Sequence, residues 1–166
     1  MTFKYSNSQE FLNKLQLLIN ALIAIPMLGF IVLFLRIEND TYNPDFLGVE
    51  LTFNLRWIVF IIVLGMTLIG LYLFYREKKE LNPSMTIREK LKIFYTGSIK
   101  RSYFFLGATL VALVGLALTA EQFYVIYYTI CLVAFSMTYP TIYRINHELK
   151  LNREEREVII SRKNIK

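Results

Sequence analysis

The groups best able to do chemistry in this chain sit in apolar surroundings. Tyr124, Tyr128, Cys131 and Ser136 fall within the hydrophobic run 123–143, while Asn20 and Thr67 interrupt two others. At helical spacing Tyr124, Tyr128 and Ser136 share a face, with Cys131 close to it. Hydroxyls, a thiol and an amide in hydrocarbon suit a groove for a lipid, quinone or small solute, with Asn20 and Thr67 as opposing polar groups. The commoner use of such groups is hydrogen bonding between helices, with tyrosines anchoring at both membrane boundaries. A serine or tyrosine without a nearby base is not a nucleophile. The sequence holds no GxSxG, no HExxH, no phosphate-binding loop and no acid pair at membrane depth, so no catalytic site is expected. Cys131 is the sole cysteine and His147 the sole histidine. An intramolecular disulfide is therefore impossible, and neither a metal site nor a cofactor is expected.

Charge supplies the second set of candidates. The segment 76–101 holds eight of the nineteen Lys and Arg residues, and the tail 144–166 holds seven more. They cluster beside apolar runs rather than over a globular face, which points to anionic headgroups as the partner and away from nucleic acid. Arg76, Lys78, Lys79, Arg88, Lys90, Lys92, Lys100, Arg101 and Arg144 are the expected headgroup contacts. The acids of the loop 36–56 do not follow the spacing of a calcium loop.

These groups must be positioned by helices in a bilayer. A hydrophobic share of 55% and a mean hydropathy of +0.41 are too apolar for an ordinary soluble domain. Four runs approach the roughly 20 residues that cross about 30 Å of hydrocarbon: 15–35, 57–75, 103–120 and 123–143. The first is too long for a signal peptide and is read as an uncleaved span. In the loop 36–56 the alternation Val49, Leu51, Phe53, Leu55 suggests a short strand or a flap over the bundle mouth. Within the connector 76–101, Thr86 to Glu89 has the form of a capping box. Ile87, Leu91 and Phe94 then predict a short helix lying in the membrane surface, with Gly97 turning the chain into the third span. Only Glu121 and Gln122 separate the third and fourth spans. Pro140 kinks or ends the last span. Asn152 and Glu155 cap a helix in the tail, and Pro26 kinks the first span.

The positive-inside rule places both termini and the connector in the cytoplasm. The connector and tail carry fifteen basic residues, while the other side has only Arg36 and Arg56 against five acids. The expected fold is an all-α integral membrane four-helix bundle of two transmembrane hairpins, in a single domain, residing in a bacterial inner membrane. A parallel repeat of the hairpins is suggested by the pattern YRxxxEL, which occurs at Tyr75–Leu81 and again at Tyr143–Leu149. Ala108, Ala112, Gly115 and Thr119 form a small-residue stripe for close helix packing, within the bundle or between protomers. Since no ionisable residue lies at the centre of a span, ion-coupled transport by a single copy is disfavoured. The expected function is that of a non-enzymatic subunit, assembly factor or scaffold, bound to another membrane protein or to a second copy of itself. A small oligomeric channel lined by the fourth span's hydroxyls is the alternative, and a binder or modifier of a lipid-like ligand the third reading.

Overall fold

The computed structural model describes residues 8–42, 44, 49–82 and 84–161. Six helices follow in order: α1 Ser8–Glu38, α2 Val49–Lys79, α3 Ile87–Thr119, α4 Phe123–Met137, α5 Ile142–Glu148 and α6 Arg153–Ile160. No strand occurs among the described residues. Helices α1, α2 and α3 are each long and apolar enough to cross a membrane; α4 and α5 together make a fourth candidate, bent by 77° at the break between them.

Helix α3 is the axis of the molecule. Helix α2 packs along it most extensively, and α4 and α1 cover other sides. Its buried residues lie on several faces and run from Lys90 to Leu116. The first two helices do not run side by side as a hairpin; α1 is held by α3 instead. At 33 residues, α3 is about 50 Å long, some 20 Å more than hydrocarbon requires. The excess is its N-terminal half. The amphipathic segment after Thr86 is thus not a separate surface helix but the first turns of the central one. Gly97 does not turn the chain: Phe74 of α2 packs over it, where a Cβ would come within 3.1 Å of the ring. The Val49–Leu55 alternation likewise belongs to the start of α2 rather than to a strand. Pro26 lies inside α1, which continues as one helix beyond it.

Two clusters make the core. Near the α3–α4 turn, Val59 and Val63 of α2 meet Ala108, Ala112 and Leu116 of α3 and Tyr124, Tyr127 and Cys131 of α4. The small-residue stripe therefore faces inward. Gly115 gives room to the Tyr124 ring, which a Cβ at that position would overlap. Ala120, with φ of 53°, closes α3 in a left-handed cap, so α4 can reverse within three residues.

The second cluster lies at the other end, where the basic residues are. Phe11, Leu12 and Leu15 of α1, Leu91 and Phe94 of α3, Ile145 of α5 and Ile159 of α6 are almost wholly buried together. The two short helices of the tail are thus folded against the extensions of the long ones. Both expected caps are present as complete capping boxes, Thr86 with Glu89 and Asn152 with Glu155.

Around the long helices the usual burial pattern is inverted. Leu17, Ile25 and Leu28 of α1, Ile61 and Leu68 of α2, Val114 of α3 and Ile126 of α4 are all more than half exposed. A continuous apolar exterior on long helices is what hydrocarbon as the solvent produces, and what water penalises.

Candidate functional site

The basic end is built on a broken helix. Proline lacks an N–H and its ring collides with the carbonyl four residues back, and α4 stops at Met137, three residues before Pro140. Freed carbonyls must find other donors when buried away from water. Two side chains from other helices supply them. Arg101 of α3 donates from Nη2 to the Thr138 carbonyl at 2.8 Å, and Gln16 of α1 donates from Nε2 to the Pro140 carbonyl at 2.8 Å. The Thr138 hydroxyl turns back to the Ala134 carbonyl. Thr141 then caps α5, accepting from the Arg144 amide.

Arg101 is 1% exposed, although its place beside the tail-end charges suggests a headgroup contact. Its guanidinium carbon lies 4.1 Å from the centre of the Phe74 ring, a cation–π contact. Nε and Nη1 of Arg101, Nε of Arg144, Oγ of Ser98 and Oδ1 of Asn146 find no hydrogen-bond partner among the described residues. Arg101 is about 27 Å along α3 from Thr119. That separation is close to the thickness of bilayer hydrocarbon, and protein side chains enclose Arg101.

The other basic residues divide by partner. Lys78 pairs with Glu148 and Lys100 with Glu77. Lys90, only 6% exposed at its side chain, meets both carboxylate oxygens of Glu155 at 2.7 and 2.9 Å. Arg144 approaches Glu148 at 3.6 Å. All four of these expected headgroup contacts meet carboxylates; three of the pairs tie α2 to α3, α2 to α5 and α3 to α6, and the Arg144 pair lies within α5. Arg76, Lys79, Arg88 and Lys92 present exposed positions, with the Lys79 ammonium 5.0 Å from the Tyr75 ring centre. A cleft of about 640 Å³ opens between the end of α2 and the α5–α6 turn, lined by Tyr75, Lys78, Lys79, Lys90, Glu148 and Lys150, among others.

The residues expected to line a groove do not all meet. Tyr124, Tyr128, Cys131 and Thr67 are buried, and Thr67, bonded to the Val63 carbonyl, lies against the Cys131 thiol. Tyr128 stacks on Phe30 of α1 at 4.1 Å. Asn20 and Ser136 are exposed on other faces, so they do not oppose this set. The Tyr124 and Tyr128 hydroxyls have no hydrogen-bond partner among the described residues, and the interior around them is packed with rings. The apolar groove of about 250 Å³ between α2 and α3 is lined by residues such as Val59, Val111 and Val114. Among the described residues no group of three or more metal-ligating side chains comes together.

The opposite end is locked by an ion pair. Arg56 of α2 binds both oxygens of Glu121 in the α3–α4 turn, at 2.6 and 3.1 Å, and stacks 4.1 Å from the Phe123 ring centre. The Tyr42 hydroxyl donates to the Ala117 carbonyl at 2.7 Å.

No protein-family model, curated protein or solved structure matches the chain.

Proposed function

We propose that this is a four-span integral membrane protein of a bacterial inner membrane, with its basic end and both termini in the cytoplasm. It works without catalysing a reaction, as a subunit or scaffold of a membrane assembly. One observation carries the reading: the chain invests far more structure at its basic end than spanning requires. Extensions of α1, α2 and α3 join α5 and α6 around a separate hydrophobic cluster, cross-braced by Lys78–Glu148, Lys90–Glu155 and Lys100–Glu77. A folded head of this kind presents a fixed polar surface at the membrane boundary, the natural seat for a cytoplasmic or membrane partner. Thr67, Tyr124, Tyr128 and Cys131 are buried in internal packing and the exposed Asn20 and Ser136 do not join them, which favours a scaffold over a channel lined by α4.

The test is purification in mild detergent followed by reconstitution. A scaffold brings a stoichiometric membrane partner, or a second copy of itself, and liposomes holding the isolated chain stay tight to small solutes. A monodisperse lone chain that catalyses solute flux overturns the reading in favour of the channel.

A further inference from the structure

The cleft at the end of α2 has the charge, the shape and the position of a lipid-headgroup site. We propose that it binds the phosphate of an anionic phospholipid from the surrounding leaflet, held between Lys79 and Lys150. The proposal rests on the reading of the chain as membrane-spanning and adds a ligand to its basic end.

Four lysines line the cleft, but they are not equivalent. Lys78 and Lys90 are neutralised by Glu148 and Glu155 and form its walls. Among the described residues Lys79 and Lys150 have no carboxylate partner, and both are exposed. A phosphate would face these two. Glu148 is the one acid in the lining, and its carboxylate is taken up by Lys78 and Arg144.

Two asparagines complete the polar set. Asn82 accepts from the Ser84 amide and Asn152 accepts from the Glu155 amide, in each case through the side-chain oxygen. Each keeps the two donors of its NH2 group, along with one lone pair on that oxygen. Both residues line the cleft, so the donors free of carboxylates around it are two ammonium groups, that of Lys79 over the Tyr75 ring, and two amide NH2 groups. That inventory suits an oxyanion.

The backbone adds an independent sign. Lys150 has φ of 47°, in the left-handed region where a helix end ordinarily places glycine or asparagine. A long cationic residue at such a position runs against backbone preference, which points to a use for its side chain. Position supplies the rest: Tyr75 and Tyr72 are exposed on α2 beside the cleft, as tyrosines at the headgroup level are. A volume of about 640 Å³ is in the range of small-ligand sites.

The full chain, purified in a neutral detergent, would be titrated with dioleoylphosphatidylglycerol and bound lipid counted by native mass spectrometry. Dioleoylphosphatidylcholine serves as the uncharged comparison and glycerol 3-phosphate as the soluble phosphate. Lys79→Gln with Lys150→Gln should raise the phosphatidylglycerol concentration for half occupancy by roughly tenfold or more. The charge-matched pair Lys92→Gln with Arg153→Gln, both exposed and neither lining the cleft, should shift it less than about twofold. Lys150→Gly alone should weaken binding several-fold while the unfolding temperature holds or rises, since glycine relaxes the turn. Equal weakening by the two charge-matched pairs overturns the site in favour of diffuse attraction, as does wild-type binding by the cleft variants. Displacement of the lipid by equimolar glycerol 3-phosphate overturns the lipid as the source of the phosphate. Lipid occupancy is read on the isolated chain in micelles, so a flux result that sinks the scaffold reading leaves this outcome independent.

Discussion

The same seven-residue pattern ends two helices of this molecule, and it ends them differently. At Tyr75–Leu81 the spanning helix enters the pattern unbroken: α2 continues to Lys79, with Arg76 and Glu80 exposed and no ion pair between them among the described residues. At Tyr143–Leu149 the helix has already broken, Pro140 lies buried, and the pattern forms the separate helix α5. There Arg144 does reach Glu148, and Glu148 also takes Lys78 from the other copy of the pattern. The same four residues, Tyr, Arg, Glu and Leu, thus frame an open exit in one place and a braced corner in the other. The difference comes from one proline and from the two side chains, Arg101 and Gln16, that catch the carbonyls it frees. The two exits are not related as equivalent halves of a repeat would be, and α1 and α2 do not pair as α3 and α4 do.

The largest break in this comparison should come from Arg101. Arg101→Ala removes the Thr138 donor and opens a cavity beside Phe74, at a cost of about 2–4 kcal/mol in detergent unfolding. Arg101→Met keeps most of the volume and removes a buried charge, so it should lose less than about half of that. Equal losses would show that charge, not packing, dominates at the corner.

Next comes the packing of α4 compared with α2. A Cβ at Gly115 would overlap the Tyr124 ring, whereas one at Gly65 of α2 meets nothing within 4 Å. Gly115→Ala should cost about 1–3 kcal/mol, and Gly65→Ala should be neutral or stabilising by up to about 1 kcal/mol. Thermal unfolding of the two variants side by side decides it.

Smaller effects sharpen the corner itself. Glu148→Gln removes the shared partner of Lys78 and Arg144, both partly exposed, and should cost about 1 kcal/mol or less. Pro140→Ala restores an N–H but leaves Arg101 and Gln16 in place. The bend should persist, with stability changed by less than about 1 kcal/mol. Spin-label distances between positions on α4 and α5 would report it; lengthening toward a straight helix would mean that the proline alone makes the bend.

The sequence carried much of this architecture, and where it did not there are physical reasons. Apolar length marks the long helices, Thr86–Glu89 and Asn152–Glu155 mark two helix starts, and Pro140 marks the break. Each signal is local, involving residues within a few positions of one another. The continuity of α3 is not local: Gly97 weakens helix propensity by itself, and only Phe74, from another helix, shows that the missing Cβ serves packing. The alternation from Val49 to Leu55 covers too few positions to separate a strand from the first turns of a helix.

The candidate site was legible in composition but not in detail. Lysine and arginine density identified the basic end. It could not show that Lys90 pairs with Glu155 or Lys78 with Glu148, partners 65 and 70 residues apart, nor that Arg101 turns inward. Lys150 and Asn82 carry no sequence signal beyond being polar, and the signal at Asn152 is that of a helix cap, not of a cleft. Asn20 and Ser136 looked like groove residues because helical spacing gives relative faces; which face meets protein and which meets lipid is set by neighbours.

The central claim is that four helical segments cross a bilayer and leave the basic end on the cytoplasmic side. Single cysteines at Asn39, Asn82 and Asn152, introduced with Cys131 replaced by serine, test it most directly in intact cells with a membrane-impermeant maleimide. Asn39→Cys should label from outside, and Asn82→Cys and Asn152→Cys only after the membrane is permeabilised. Labelling of Asn82→Cys and Asn152→Cys from opposite sides, or recovery of the protein in the soluble fraction without detergent, would contradict the account.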